Sequence, residues 1–426
     1  MDDARKTAYL VLLDIEKNKA YSNLALNHYI SVVKPNSKAF VRRLVYGVLE
    51  NLILLDYIIQ HYLKDPSHKL DASDRTILRM GLYQLAFMDS IPSYAAVTET
   101  VNLAKRYCKG REGFVNAILR NYLRTKDEIS LPSRETDEAA YLSVKYSYAP
   151  WIVKMWLEEY GSKFTEDLLA AGNKTPEVAI RPNLLKISRR ELKRSLEEKG
   201  YEVHDGRMSN IALRVKGEDL LDTSLYNNGM FSVQDESSMV VVDVLDPQPN
   251  EFIADVCAAP GGKTMYIAER MENRGRIIAR DVYKKKLDLL HKDAGRLGIS
   301  IIETGTWDAT KMDSELEEKA DRVLVDAPCS GLGIVRRKPE IKYKKWEGDL
   351  EGLPEMQLRI LTTSSRYVKP GGILLYSTCT INKAENQDIT MTFLKENPQF
   401  VIEESIQLFP NITDTDGFYI CKMRRR

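Results

Sequence analysis

Asp255-Val256-Cys257-Ala258-Ala259-Pro260-Gly261-Gly262-Lys263-Thr264 is the stretch whose reading decides the fold. The apolar run at 252–256 is short enough for a buried strand, and it stops at a turn of small residues. Gly261 and Gly262 let the backbone come close to a ligand there. The turn is not a phosphate loop. Gly-x-x-x-x-Gly-Lys-Thr ending at Thr264 needs glycine at 257, where Cys257 stands. Nor is it Gly-x-Gly-x-x-Gly. Downstream, 276–279, 300–303, 322–325 and 372–376 are further strand candidates, most of them separated by helical patterns. The alternation predicts a Rossmann-like, doubly wound parallel α/β sheet with ligands outside the carboxyl ends of its strands.

Those ends carry acids. Asp281 lies twenty residues past Gly261 and ends the second candidate strand. A carboxylate there can accept both hydroxyls of a ribose. Asp308 follows the third strand, where a side chain can reach an adenine amino group, and Asp326 ends the fourth. Loop glycines and acids at successive strand ends point to an adenosine cofactor with little phosphate, such as S-adenosylmethionine. Each Asp taken singly could equally cap the next helix.

Two cysteines stand just after strand candidates, Cys329 in Asp326-Ala327-Pro328-Cys329-Ser330-Gly331 and Cys379 in Ser377-Thr378-Cys379-Thr380. A buried thiol is usually a small hydrophobe, which suits Cys108 and Cys421, and Cys257 packs naturally behind the cofactor turn. Cys329 and Cys379 lie instead in polar turns at the functional edge. A thiolate adding to C6 of cytosine turns the poorly nucleophilic C5 into an enamine carbon that can take a methyl group. One cysteine suffices for attack, and a second can assist release. Chemistry alone leaves open which does which. Asp326 can bond the N3/N4 edge of the base, and Lys263 can lower the pKa of a nearby thiol.

The rest of the chain sets limits. Its 426 residues allow two or three domains. Five cysteines without a Cys-x-x-Cys pair, and five histidines outside any motif, argue against disulfides, a metal site or a His-based triad. No apolar stretch approaches a membrane span and no signal peptide is visible, so a cytoplasmic, metal-free protein without membrane partners is expected, as a monomer. Residues 1–130 carry helical stripes, including Ala8, Val11, Leu12 and Ile15, and Ile77, Leu78, Leu82 and Leu85 behind a cap at Asp71 or Ser73; Ser93 is a further candidate cap. Residues 131–165 read as a linker and helical connector, 166–240 as a small α+β module, and 241–426 as the cofactor-binding domain. Net charge is +1, but residues 1–130 hold 19 basic and 14 acidic side chains. Arg336-Arg337-Lys338, followed by Lys342, Lys344 and Lys345, and the terminal Arg424-Arg425-Arg426 are basic clusters that could contact phosphates; singly, each reads more simply as a solvated face.

Taken together, these motifs closely resemble the RNA cytosine-5 methyltransferases of the NOL1/NOP2/Sun group. The resemblance extends to Gln234-Asp235-Glu236-Ser237-Ser238, to Arg336-Arg337-x-Pro339-Glu340-Ile341-Lys342 before Trp346, to Glu385-Asn386 and to Asp416-Gly417-Phe418-Tyr419. Arg79-Met80-Gly81-Leu82-Tyr83-Gln84-Leu85 and Phe114-Val115-Asn116-Ala117-Ile118-Leu119-Arg120 resemble the RNA-binding NusB-like domain fused to bacterial members of the Fmu/RsmB type, which act on 16S ribosomal RNA. The resemblance implies Cys379 as nucleophile and Cys329 as the group assisting release. It also implies cofactor contacts from Cys257, Ala258, Ala259, Pro260, Gly261, Gly262, Lys263, Asp281, Asp308 and Asp326. Arg336, Arg337 and Lys338 are expected at the RNA. Glu340 stands where many relatives have Asp. A non-catalytic RNA-binding factor and an amino-methyltransferase are the competing readings. The intact cysteines oppose the first, and the lack of Asn/Asp-Pro-Pro-Tyr after the fourth strand opposes the second.

Overall fold

The structure is a computed structural model that describes residues 2–63, 65, 70–344 and 351–426. His68, Lys345, Trp346 and the Lys344 side chain, which figure in the sequence reading, lie outside them. The chain forms two compact units, one from residues 2–173 and 338–344, the other from 174–337 and 351–426.

The first unit is helical. Asp3–Asn18, Ser22–Val33, Lys38–Glu50, Leu52–His61, Ala72–Phe87, Ser93–Tyr107 and Glu112–Thr125 are followed by Glu138–Tyr146, Pro150–Tyr160 and Ser162–Gly172. The apolar stripes are the core: Ala8, Val11, Leu12 and Ile15 pack with Val41, Leu44, Val45, Val48, Ile77, Leu78 and Leu82. Asp71 caps its helix, accepting from Asp74 N at 2.8 Å. Ser93 is not a cap but the first helical residue, behind Pro92. The connector helices belong with this unit, and so does the turn Ile341–Lys344. Glu340 is buried and accepts from the amide and hydroxyl of Ser22 at 3.2 and 2.9 Å. Lys342 is fully buried, 4.2 Å from the Tyr148 ring centroid, with its amine on Asn173.

The second unit holds two sheets. The smaller has β1 (Val178–Pro182), β2 (Glu202–Asp205), β3 (Leu213–Lys216) and β4 (Phe231–Val233) in the order β2-β3-β1-β4, all antiparallel. It buries Ile180, Leu213, Val215 and Phe231 against Leu192 and Leu196 of the helix Arg189–Glu197. The larger has β5 (Phe252–Asp255), β6 (Arg276–Asp281), β7 (Ile302–Thr306), β8 (Ala320–Asp326), β9 (Val368–Thr378), β10 (Phe400–Leu408) and β11 (Phe418–Arg425), ordered β10-β11-β9-β8-β5-β6-β7.

From β9 to β7 the strands run parallel, as the alternation predicted; β11 and β10 add an antiparallel edge that the sequence reading did not find. Most of β10 faces solvent or is half-buried, so it shows no clean apolar alternation. The strand order reverses beside β5, which opens a crevice at the carboxyl ends of β5 and β8. The two sheets are joined by a buried ion pair. Arg181 of β1 reaches Glu269 in the helix Gly262–Arg270 at 2.8 and 2.9 Å, donates to the Gly262 carbonyl at 3.2 Å and lies over the Tyr266 ring.

Candidate active site

The cofactor turn leaves β5 at Asp255 and enters the helix at Gly262. Gly261 has φ +109°, and a Cβ there would come within 2.7 Å of Leu290, so only glycine fits. Ala258 N bonds Arg280 O, and Ala259 N bonds the Asp281 carboxylate at 3.2 Å, so the turn is held against the end of β6. The other Asp281 oxygen accepts from Tyr283 N at 2.9 Å. Asp255 is buried, gives one oxygen to Thr264 Oγ1 at 2.7 Å and keeps the other without a partner among the described residues. Burial pushes its pKa up to about 7, against the pull of the Thr264 hydroxyl. Burial likewise raises the Cys257 thiol, reinforced by the charges of Asp255, Asp326 and Asp281.

This acceptor set fits an adenosine group. A strand-end carboxylate fixed at Asp281 stands beside a turn with no side chain at Gly262, where an added Cβ would meet nothing nearer than 3.8 Å. Asp308 lies past β7, but its carboxylate is taken up locally by the Thr310 amide at 3.0 Å and hydroxyl at 2.7 Å, a turn-capping arrangement.

Register brings the other candidates together. Asp326 ends β8 opposite Ser377 of β9, so the turns carrying Cys329 and Cys379 leave neighbouring strands at the same edge. Their sulfurs are 3.3 Å apart, beyond a bond and within hydrogen-bonding distance, and neither is in a disulfide. The bond to Cys379 and burial both raise the Cys329 thiol well above its ordinary range. Lys263 Nζ sits 2.6 Å from Asp326 Oδ2 and 5.0 Å from the Phe418 ring centroid, while Asp326 Oδ1 accepts from Ser377 Oγ at 2.9 Å. Lys263 is therefore held by the Asp326 carboxylate.

Several residues without an assigned role hold this edge. The fully buried Glu385 carboxylate accepts from Ser330 N at 2.7 Å, Gln357 Nε2 at 3.0 Å and Asn382 Nδ2 at 3.0 Å, tying the Cys329 turn to the segment after Cys379. Asn386 bonds the Thr378 hydroxyl and the Thr380 carbonyl. Gly333 N donates to Cys379 O at 3.1 Å and Gly417 N to Gly333 O at 2.8 Å, so close that a Cβ on Gly333 would meet Gly417 O at 2.0 Å. Glu385, Asn386 and Gly417 lie in motifs the sequence displays; Gln357 had no signal at all.

The expected RNA contacts need correction. Arg336 is 8% exposed, with its Nε on Asp416 at 2.7 Å, and the Arg337 Nε takes the other oxygen of Asp416 at 2.7 Å. Asp235 bonds Arg337 as well. These guanidinium groups join the Gln234-Asp235 and Asp416-Gly417 motifs and are not displayed for phosphate. Buried carboxylates nearby claim them, a pairing no linear charge count can register. Lys338 is exposed, and Lys342 is buried within the helical unit. Arg424 and Arg425 pair with Glu403 and Glu318.

Known proteins agree with this architecture. Residues 242–424 match the model for the 16S rRNA methyltransferase RsmB/F, 2–124 match the NusB family, and 148–219 match the ferredoxin-like domain of RsmF/B-like methyltransferases. The probable ribosomal RNA small subunit methyltransferase B of Bacillus subtilis (strain 168) is 38% identical, covering 99% of this chain and 98% of that protein. The chain belongs to the RsmB/F methyltransferase family. A probable methyltransferase B from Synechocystis is 33% identical over the full length of both proteins. The crystal structure of PH0851 superposes with a TM-score of 0.84 at 29% identity, covering 99% of each chain. A methyltransferase homolog from Pyrococcus horikoshii reaches 0.62 at 26% identity, over 68% of this chain and 99% of that one. The NusB match falls on the helical unit and the RsmB/F match on the larger sheet, as the fold reading expected.

Proposed function

We propose that this RsmB/F family member transfers a methyl group from S-adenosylmethionine to carbon 5 of a cytosine in 16S ribosomal RNA, through a covalent bond between a cysteine and C6. The observation that carries the reading is the pair of thiols 3.3 Å apart beside the Asp326–Lys263 pair, at the edge that also bears the glycine turn. The turn from Cys257 to Lys263, with Asp281, would hold the cofactor, and Asp308 and Asp326 complete the set carried by family resemblance. Bound S-adenosylmethionine supplies an electrophilic methyl carbon on a sulfonium.

The chain's own groups do the rest. Cys379, as thiolate, adds to C6; the C–S bond forms as the C5–C6 double bond opens, leaving C5 nucleophilic. Asp326 would bond the polar edge of the base, with Lys263 fixing its carboxylate. After methylation, a base takes the C5 proton, its electrons re-form the double bond, and Cys379 leaves. Cys329, in contact with Cys379, assists this release. Glu385 acts as a positioning residue that keeps the two turns in register. Both thiols must stay reduced, which suits a cytoplasmic enzyme. The N-terminal helices would bring the RNA.

The test separates the thiols. Cys379→Ala should form no adduct and transfer no methyl. Cys329→Ala should still attack and methylate but release slowly, accumulating a protein–RNA band on a denaturing gel. Trapping by Cys379→Ala with none by Cys329→Ala reverses the roles, and full activity in both variants removes the thiol mechanism.

A further inference from the structure

The arginines nearest the thiols in sequence are internally paired, so phosphate contacts on the catalytic unit must come from elsewhere. The helix Lys284–Leu297 supplies a candidate. It buries Leu287, Leu290, Ala294 and Leu297, which leaves Lys284, Lys285, Lys286 and Lys292 on its outer side, all exposed. Among the described residues none of these lysines makes an ion pair, and Lys286 rests 4.3 Å from the ring centroid of Tyr283. Asp288 is exposed among them, while the half-buried Asp293 beside Lys292 is taken by Arg296.

Several other basic groups of this unit are paired, whereas here three unpaired lysines stand in consecutive positions. Arg189 and Lys193 share Asp205, Arg194 pairs with Glu198, and Arg336, Arg337, Arg424 and Arg425 all have carboxylate partners. Three lysines in the first turn of a helix also oppose its macrodipole, which disfavours cations at that end. Neither pairing nor helix stability accounts for them. Their position is fixed relative to the site, because Tyr283 N bonds Asp281 and Leu290 of the same helix packs on Gly261.

We infer that Lys284, Lys285 and Lys286, with Lys292 two turns further along the helix, form an RNA-docking surface that grips substrate phosphates beside the cofactor end of the sheet. The inference rests on the RNA-methylating reading above. β6 lies two strands from β8, about 10 Å across the sheet, so a strand of RNA whose target base lies at the thiols can lay its neighbouring backbone along this helix. The recognition is of backbone charge, so it adds affinity and register without reading sequence.

The experiment measures binding of a 16S ribosomal RNA transcript by the full chain between 50 and 200 mM salt, without any methyl-transfer readout. Each phosphate that the protein no longer neutralises lowers the magnitude of the log–log salt slope by about 0.7–0.9, so the Lys284→Ala/Lys285→Ala/Lys286→Ala variant should show a slope shallower by about 2–3. Over that fourfold salt range the wild type should then lose roughly 16- to 60-fold more affinity than the variant. Calorimetric affinity for S-adenosylmethionine should be unchanged, which also shows that the variant is folded. The triple Lys→Arg variant, which keeps the charge, should bind as wild type. A wild-type slope retained by the alanine variant overturns this surface while leaving the methyltransferase reading intact. A flat slope in the wild type overturns the RNA reading itself. Loss of binding in the arginine variant would show that backbone charge is not what the surface recognises.

Discussion

Replacing Arg181 by Met removes the cation from a site where neither partner is exposed at all. Glu269 loses both of its charge-assisted bonds, and the Gly262 carbonyl and Gln234 each lose a donor. Burial already pushes the Glu269 carboxyl up, against the pull of Arg181. Breaking a buried pair from one side leaves the other charge uncompensated and costs about 3–5 kcal/mol. For a unit of this size each kcal/mol moves Tm by about 2–4 °C, so the catalytic unit's transition should fall by roughly 6–20 °C in scanning calorimetry of the full chain. Arg181→Met/Glu269→Leu should recover most of that loss, because an apolar pair of similar volume is often as stable as a buried ion pair. The single variant should also bind S-adenosylmethionine more weakly, because Gly262 opens the helix after the cofactor turn. A single-variant loss under about 1 kcal/mol, or a double variant no better than the single one, would refute the view that this pair locks the small sheet to the cofactor helix.

Asp281→Ala should weaken S-adenosylmethionine binding by about 1.5–3 kcal/mol, the worth of hydrogen bonds to a charged acceptor, measured by calorimetry; unchanged affinity in a folded variant removes Asp281 from the site. Lys342 predicts a pH effect. Desolvation lowers its amine to about 7, despite the nearby Glu50 charge, while the unfolded chain keeps it near ~10.4. Between those values the unfolded state binds more protons, so this group's contribution makes stability rise with pH through that window and stay level below it. Lys342→Met should flatten the rise in urea midpoints measured at pH 7, 8 and 9; an identical slope in both proteins would sink the assignment.

What the sequence determined by itself was the order of elements and the chemistry at strand ends. The small-residue turn at 258–262, the Asp281 and Asp326 positions and both cysteine turns are local signals, because a strand end, a turn and a reactive side chain lie within a few residues of one another. The helical stripes were legible for the same reason, since a 3.6-residue period repeats within one element. Tertiary structure decided what depends on distant partners. The antiparallel edge of β10 and β11 forms because β9 offers β11 a ladder, and local apolar spacing cannot announce that. Glu385, Gln357 and Gly333 gain their roles only when turns fifty residues apart in sequence are brought within hydrogen-bonding distance. Charge behaved the same way. Arg336, Arg337, Lys338 and Lys342 read alike as basic clusters, yet the two arginines are claimed by buried carboxylates and Lys342 sits inside the helical unit, while Lys338, Lys284, Lys285 and Lys286 stay open to water. Side-chain type sets what a charge can bind, but only the fold decides whether an opposite charge has already met it.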